Sequence, residues 1–170
     1  RRHRQWSDLL RHTTHPETQT KERNMNGAPL VILLVEDNMD HAELAKRNLE
    51  GCHVANRIHH VEDGEEAIHY MHGTGRYTDR NRHPRPDLIL LDLRLPKIDG
   101  LEVLRIIKLD PDLRAIPVVV LTTSDAEPDI ARAYQLHANS YLTKPVEFDA
   151  LSRLLKDLGF YWLAWNKRPW

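Results

Sequence analysis

The stretch VILLVEDN, residues 31–38, begins like the interior of a sheet and ends in two adjacent acids. Its five apolar residues, β-branched at both ends, are typical of a strand buried on both faces, as in a parallel sheet. Glu36 and Asp37 follow this run directly, although neighbouring carboxylates repel each other. Their position at the end of a buried strand therefore needs a reason beyond folding.

Composition restricts the class of protein. The chain of 170 residues is long enough for one domain with a well-buried core and too short for two large domains. Lys and Arg number 24 against 25 Asp and Glu, so the net charge of −1 gives no overall attraction to nucleic acid or membrane. A single cysteine, Cys52, excludes a disulfide framework and a thiolate zinc cluster. No apolar run reaches the ~20 residues of a membrane span, and we expect a cytoplasmic protein.

The chain divides near its N-terminal end. Residues 1–27 are basic and contain little that a core could bury, which favours a flexible extension. Residues 28–170 are predicted to form one domain, in which strand patterns alternate with helical patterns. This alternation predicts a doubly wound parallel sheet with right-handed crossovers. The predicted strands lie in 31–35, 57–61, 87–93, 116–124 and 139–145, and the predicted helices in 38–49, 63–73, 100–110, 127–138 and 146–165.

Reactive side chains occur where the predicted strands end. In an open parallel sheet the carboxyl ends of the strands meet at one edge, so we expect these side chains to lie close together. Three carboxylates would raise one another's pKa and destabilise the fold unless a cation neutralises them. Oxygen ligands alone favour a hard ion, Mg²⁺, with Mn²⁺ as a substitute. The residues are Glu36 and Asp37 after the first strand, Asp92 after the third, Thr122 in the fourth and Lys144 in the fifth.

The same set of side chains predicts phosphate chemistry. Magnesium held by carboxylates at a strand edge commonly meets phosphate, and a lysine there adds a point charge for phosphoryl oxygens. A threonine hydroxyl adds a neutral donor. One carboxylate can then act as a nucleophile and form an aspartyl phosphate.

Four motifs in chain order resemble the receiver domain of two-component response regulators. They are LLVEDN at the acid pair, LLDLRLPKIDG around Asp92, LTTS at Thr122 and YLTKP at Lys144. The likeness extends over residues 29–165 and is greatest to single-domain regulators that partner bacterial phytochromes. It implies a flavodoxin-like five-stranded sheet of order 2-1-3-4-5 and a role in phosphorelay signal transduction. The implied partner is a sensor histidine kinase, with a bacteriophytochrome as one candidate and a downstream phosphotransfer protein as a further one.

The resemblance also implies the metal ligands. Asp92 is the expected phosphoacceptor, and Mg²⁺ would be bound by Asp37, by Asp92 and by the backbone carbonyl of Arg94. Glu36 would act mainly through a metal-bound water molecule. The catalytic set then comprises Asp92 with Thr122, which would hydrogen-bond the phosphoryl group, and Lys144, which would ion-pair with it.

Further roles follow from the same resemblance. Tyr141 matches the switch aromatic that turns inward when Thr122 moves. Arg94 and Ser124 occupy the two positions that tune hydrolysis of the phosphate in this family. The bond between Lys144 and Pro145 is expected to be cis.

The last helix carries more large apolar residues than one of its faces can bury. Phe160 and Leu163 fall off the stripe that is predicted to pack on the sheet, and Trp170 lies beyond the helix. Exposed aromatics usually mark an interface, so we expect a two-fold homodimer through helix four, strand five and helix five. Alternatively, these aromatics fold back over the domain's own sheet edge. The stripe is Leu151, Leu154, Leu155, Leu158, Tyr161, Trp162 and Trp165, and the interface candidates are Tyr141, Phe160, Trp162 and Leu163.

Two other functions share part of this chemistry. A Mg²⁺-dependent phosphatase or phosphotransferase of the haloacid-dehalogenase type needs a second Asp two residues after its nucleophile, where this chain has Arg94. A receiver-like interaction module that is never phosphorylated usually lacks one of the acid, threonine or lysine positions, all of which are present. Nothing after residue 166 could form a DNA-binding domain, so output through protein contacts is expected. We therefore expect a protein that catalyses only its own phosphorylation and dephosphorylation, not an enzyme with a separate substrate.

Overall fold

The structure, a computed structural model, describes residues 29–52 and 54–166. The predicted flexible extension, residues 1–27, and Trp170 lie outside the described residues. The strands are β1 (Leu30–Val35), β2 (Asn56–Val61), β3 (Leu88–Leu91), β4 (Val118–Thr122) and β5 (Ser140–Thr143). The α-helices are α1 (Met39–Glu50), α2 (Gly64–His72), α3 (Gly100–Leu109), α4 (Glu127–Gln135) and α5 (Phe148–Gly159). A 3₁₀ turn at Gly75–Tyr77 follows α2, and a π-helix at Phe160–Trp165 follows α5.

The five strands form one parallel sheet in the order β2-β1-β3-β4-β5. This is the predicted flavodoxin-like order, and the prediction is confirmed. The chain reverses its direction of winding between β1 and β3, so the crevice at the carboxyl ends of these two strands is the expected ligand position. The register pairs Val35 with Leu91 at that end of the sheet.

Both faces of the sheet are covered by helices, which explains the uninterrupted apolar runs in the sequence. All four residues of β3 are buried, as are all five of β4. Leu33, Ile89 and Val120 belong to one buried cluster, whereas Leu34 and Leu90 belong to the other. The described part of the chain contains no helix with both the length and the apolar character that crossing a membrane requires.

The helix ends follow the local sequence. The Asn38 side chain caps α1 by accepting hydrogen bonds from the N–H groups of Asp40 and His41, at 3.0 and 3.1 Å. Asp63 caps α2 in the same way, and Gly73 ends that helix in the left-handed region with φ of 66°. These predicted helix boundaries are confirmed, and a polar N-cap of this kind contributes about 1 kcal/mol.

Helix α3 begins in direct contact with the end of β3. A Cβ atom on Gly100 would lie 2.2 Å from the carbonyl oxygen of Asp92, so only glycine allows this approach. The Gly100 N–H donates a hydrogen bond to the carbonyl oxygen of Leu93 at 2.9 Å, and the Asp99 side chain caps the helix. The segment that follows Asp92 is therefore held against the sheet.

The end of the last helix differs from the prediction. The α-helix stops at Gly159 and the chain continues as a π-helix, whose wider i→i+5 turns change which residues share a face. Leu163, predicted to be exposed, is buried at 7% exposure in the cluster that contains Leu158. Tyr161 and Trp165, predicted to pack on the sheet, are 54% and 68% exposed. These three placements were wrong because they extended the α-helical period through the π-helix.

The other two aromatics of this segment agree with the prediction. Phe160 is exposed, and Trp162 is half-buried against the same cluster as Leu163. The rings of Phe160 and Trp165 contact each other at 5.8 Å between centroids. An aromatic surface thus remains at the end of α5, although it is formed partly by residues that the helical period had placed inside.

Candidate metal and phosphoacceptor site

The sheet topology brings the predicted site residues to one edge. Glu36 follows β1, Asp92 follows β3, Thr122 ends β4 and Lys144 follows β5. All four side chains are buried, whereas Asp37 is exposed at the rim. Buried acids and a buried lysine are rare unless they are paired, so their arrangement is informative.

The ammonium group of Lys144 joins the two buried acids. Its Nζ donates to Asp92 Oδ2 at 2.7 Å and also to Glu36 Oε2 in a short contact. The side chain of Lys144 is only 2% exposed. Its backbone N–H donates to the carbonyl oxygen of Thr122 at 2.7 Å, which fixes the start of this side chain beside β4. The ion pairs are thus held by the sheet as well as by charge.

The two buried acids respond differently to this environment. Burial raises the pKa of Glu36, and the Lys144 ammonium offsets only part of that effect. Burial acts on Asp92 in the same direction, but the charge and hydrogen bond of Lys144, with a hydrogen bond from the Arg94 N–H, outweigh it and lower the pKa of Asp92. Asp92 is therefore ionised at neutral pH, the form that a nucleophile requires.

A metal ion would balance the negative charge that Lys144 leaves uncompensated at this edge. Ligand oxygens of Glu36, Asp37 and Asp92 all lie within 4.8 Å of one another. One lysine supplies one positive charge for three carboxylates, so the cluster has room for a hard divalent cation. The Arg94 N–H donates to Asp92 Oδ1 at 3.1 Å, which places the backbone of the predicted carbonyl ligand beside the phosphoacceptor.

Two histidines at this edge were not assigned to the site from the sequence. His41, in the first turn of α1, has its Nδ1 atom 3.4 Å from Lys144 Nζ and 3.8 Å from Glu36 Oε1. His60, at the end of β2, donates from Nε2 to the carbonyl oxygen of Glu36 at 2.8 Å. Their positions, at a strand end and in the first turn of the following helix, could have indicated that both lie near the site. A single histidine at such a position is not specific for a functional role.

A second polar cluster lies beside the site. Tyr141 is half-buried and donates its hydroxyl to the carbonyl oxygen of Ser124 at 2.9 Å. The Ser124 hydroxyl donates to Asp129 Oδ2 at 2.5 Å, and the Arg94 guanidinium donates to the same oxygen at 2.7 Å. Asp129 was not recognised from the sequence, since an acid in the first turn of a helix is ordinarily explained by the helix dipole.

One predicted feature of the site is wrong. The described residues contain no cis peptide bond, so the linkage between Lys144 and Pro145 is trans. The trans form is favoured before proline by about 0.5–1 kcal/mol, and the expectation of cis came from the family resemblance alone. The Lys144 ammonium reaches both acids from this trans linkage.

The strand order is that of a flavodoxin-like, doubly wound domain, and the acids and the lysine lie at the carboxyl edge of its sheet, where such domains bind ligands. Residues 32–156 match the family described as "Response regulator receiver domain", and the chain belongs to this family.

Two relatives with similar sequences extend the comparison. The chain is 48% identical over 141 residues to "Probable methanogenesis regulatory protein FilR2" from Methanothrix harundinacea, with 83% of this chain and 88% of the relative covered. It is 44% identical over 135 residues to "Response regulator Rcp1" from Synechocystis, with 79% of this chain and 90% of the relative covered. The domain thus fills most of the length of both relatives.

Solved structures agree with these relatives. The Mn²⁺-bound form of Rcp1 superimposes with a TM-score of 0.79 at 42% identity, covering 84% of this chain and 100% of that chain. The phosphorylated cyanobacterial phytochrome response regulator RcpA gives a TM-score of 0.80 at 44% identity with the same coverage. The predicted likeness to phytochrome-partnered regulators of one receiver domain is confirmed.

Proposed function

We propose that the protein accepts a phosphoryl group from the phosphohistidine of a sensor histidine kinase onto Asp92, in a reaction that requires Mg²⁺. One observation carries this proposal: a fully enclosed ammonium group pairs with an ionised aspartate at the sheet edge where two further carboxylates could hold a cation. Burying such a charged cluster costs stability, and ionisable groups that a fold buries at this cost are commonly part of a functional site.

The residues would divide the reaction between them. An Asp92 carboxylate oxygen forms the new bond to phosphorus while the bond from phosphorus to the kinase imidazole nitrogen breaks. That nitrogen keeps the electron pair and is protonated. Lys144 already contacts Asp92 and would follow the phosphoryl oxygens as negative charge moves outward. The Thr122 hydroxyl would donate a hydrogen bond to the same group.

The proposed metal ligands are Asp37, Asp92 and the carbonyl of Arg94, with Glu36 acting through water. A bound Mg²⁺ would neutralise charge on the transferring phosphoryl oxygens. The Mn²⁺-bound form of Rcp1 supports Mn²⁺ as a substitute. This chemistry modifies the protein itself, so we do not class the protein as an enzyme with a separate substrate.

The signal would leave through the face formed by α4, β5 and α5. Tyr141 on β5 is tied to Ser124 in the loop before α4, so movement of Thr122 toward a phosphoryl group would pull on this contact. Tyr141, Phe160 and Trp162 remain candidates for a homodimer interface. Leu163 is buried in the domain's own core and cannot contribute to such an interface.

The partner proposed is a histidine kinase in the cytoplasm. Likeness to the cyanobacterial phytochrome response regulator RcpA and to the bacteriophytochrome response regulator AtBRR supports a bacteriophytochrome as the sensor of this protein, whereas FilR2 is named for regulation of methanogenesis. A downstream phosphotransfer protein is a further candidate partner.

Intact mass spectrometry tests the proposed function. The protein is incubated with acetyl phosphate, or with each phosphorylated kinase of the source organism, in Mg²⁺ or in EDTA. We expect the mass of one phosphoryl group to be gained in Mg²⁺ only, and Asp92→Asn, which keeps the size of the side chain, to abolish the gain.

The same measurement separates the alternatives. An Asp92→Asn protein that is still phosphorylated at the parent rate would overturn the assignment. A parent protein that no donor phosphorylates would favour the non-phosphorylated interaction module. Release of phosphate from added phosphate esters would favour the phosphatase, although Arg94 stands where that enzyme needs its second aspartate.

A further inference from the structure

Asp129 is held by more contacts than its place in a helix requires. It lies in the first turn of α4, where its carboxylate is stabilised by the helix N-terminus. Its Oδ2 atom also accepts hydrogen bonds from the Ser124 hydroxyl at 2.5 Å and from the Arg94 guanidinium at 2.7 Å. The side chain is only 19% exposed, which strengthens both contacts. This carboxylate therefore has a well-defined position next to the candidate site.

Arg94 is the cation that this carboxylate holds. The Arg94 N–H donates to Asp92 Oδ1 at 3.1 Å, so its backbone adjoins the phosphoacceptor. Its guanidinium, however, binds Asp129 and lies 3.3 Å from the Ser124 hydroxyl. The side chain is 65% exposed and has a long flexible stem. A cation whose backbone adjoins the phosphoacceptor is thus paired with a carboxylate that takes no part in the proposed metal site.

We propose that Asp129 is a positioning residue that holds the Arg94 guanidinium away from Asp92 and so limits how strongly the site attracts an anionic phosphoryl group. The inference rests on the proposed function. Arg94 can form two parallel hydrogen bonds to a phosphoryl group, so a bound phosphoryl group and Asp129 compete for the same cation. Asp129 sets the outcome of that competition.

The competition also reaches the output face. Ser124, which shares Asp129 Oδ2 with Arg94, accepts the Tyr141 hydroxyl on its carbonyl oxygen at 2.9 Å. Its N–H lies 3.4 Å from Thr122 Oγ1. When Arg94 leaves Asp129, the loop that ends at α4 loses one of the contacts that fix it. One carboxylate thereby links the charge at the phosphoacceptor to the contact of Tyr141.

Asp129→Asn tests this role. It removes the charge with little change of size, so Arg94 is released toward the site. We expect beryllium fluoride, a phosphoryl mimic used with Mg²⁺, to bind about three- to tenfold more tightly, the range of one coupled charge contact. The acetyl phosphate concentration needed for half-maximal phosphorylation should fall by a similar factor, while the maximal rate stays within about twofold.

The double variant distinguishes this role from a structural one. In an Arg94→Ala background, Asp129→Asn should leave beryllium fluoride affinity unchanged, because the released cation is absent. Asp125→Asn is the matched control, since it removes an acid from the loop just before α4 but keeps the Arg94–Asp129 pair. Persistence of the tighter binding in the Arg94→Ala background, or an equal gain in Asp125→Asn, overturns the proposal.

The outcomes also separate the two proposals. A parent protein that does not bind beryllium fluoride in Mg²⁺ contradicts the proposed function. A parent that binds it, with an Asp129→Asn protein of equal affinity, contradicts only the role of Asp129. If Asp129→Asn does not fold, Asp129→Ser, which suits a helix N-terminus, takes its place in the same comparison.

Discussion

Lys144 has two buried acidic partners but carries only one charge. Its ammonium pairs with Asp92 and with Glu36 at the same time, and the three side chains are almost wholly enclosed. Removing one member of a buried ionic group leaves the others uncompensated, which costs about 3–5 kcal/mol in proteins. A divalent cation at the same carboxylates would supply the missing charge. The lysine and the metal are thus expected to replace each other in part.

We predict that Lys144→Met lowers the free energy of unfolding by about 3 kcal/mol in EDTA and by much less in Mg²⁺. Urea unfolding followed by circular dichroism in both buffers measures the difference. Lys156→Met, at an exposed position of α5, is the control and should unfold like the parent. Equal destabilisation of Lys144→Met with and without Mg²⁺ would show that the metal does not share this site.

His59 is half-buried, and its position disfavours the protonated form of the ring. Its Nε2 atom has no hydrogen-bond partner among the described residues, and its ring packs on Tyr70 at 5.5 Å between centroids. Burial lowers the pKa of His59, with smaller contributions from His83 and Arg57. His60 points to the other face, toward Lys46, so these two adjacent histidines cannot bind one metal ion together.

The lowered pKa fixes the sign of a pH effect. Below the ordinary histidine pKa of about 6.5, the unfolded chain binds a proton at this position that the folded protein resists. The free energy of unfolding therefore decreases as the pH is lowered. We predict that His59→Phe, which keeps an aromatic ring, loses less stability than the parent between pH 7.5 and 5.5. Urea unfolding at both values measures this, and His69→Phe, at an exposed histidine, is the control. Parallel losses in parent and His59→Phe would contradict the assignment.

At the scale of elements, β4 and β5 are linked through side chains as well as through the ladder. Thr122 accepts the Ser124 N–H on its hydroxyl, and Ser124 accepts the Tyr141 hydroxyl on its carbonyl. Thr122 is fully buried, and its carbonyl oxygen also pairs with the Lys144 N–H. A displacement of Thr122 would therefore move Ser124 and, through it, the ring of Tyr141.

We predict that Thr122→Ala still accepts phosphate at Asp92 but no longer transmits the change to Tyr141. Intact mass gives the phosphorylation, and NMR shifts of the Tyr141 ring before and after beryllium fluoride give the response. Tyr141→Phe reports on the hydroxyl contact alone. A normal Tyr141 response in Thr122→Ala would contradict the switch.

At the scale of the whole molecule, exposed aromatic surface lies at the end of α5. Phe160 and Trp165 are 59% and 68% exposed and contact each other. Burial of these rings in an interface would remove apolar surface from water, which is favourable. Large exposed aromatics on a small domain usually mark an interface, and aromatics dominate interface energetics. This surface adjoins the face through which we expect the phosphorylation signal to leave.

We predict a homodimer at micromolar concentration that Phe160→Glu dissociates without loss of fold. Leu109→Glu, at an equally exposed apolar position at the end of α3, should leave the dimer intact. Leu163→Ala should instead lower stability by about 2–4 kcal/mol, because this side chain is buried. Sedimentation and urea unfolding measure the two effects. A parent that stays monomeric with and without beryllium fluoride would defeat the dimer.

The sequence by itself determined the class of fold and the location of the site. Apolar runs, polar caps and the glycine after α2 act within a few residues, so their consequences can be derived locally. The strand ends carried the acids, the threonine and the lysine, and a parallel sheet brings strand ends together whatever its loops do. That is why Asp92 and Lys144 could be placed side by side before their contact was known.

The tertiary structure alone decided features that depend on contacts distant in sequence. Where Gly159 meets Cys52, a Cβ atom on the glycine would lie 2.6 Å from the sulfur, and this close approach of α5 to the end of α1 precedes the π-helix that buries Leu163. The Arg94–Asp129 pair spans 35 residues and depends on the path of two loops. Periodicity and motifs carry no information on either, because both result from how finished elements pack against each other.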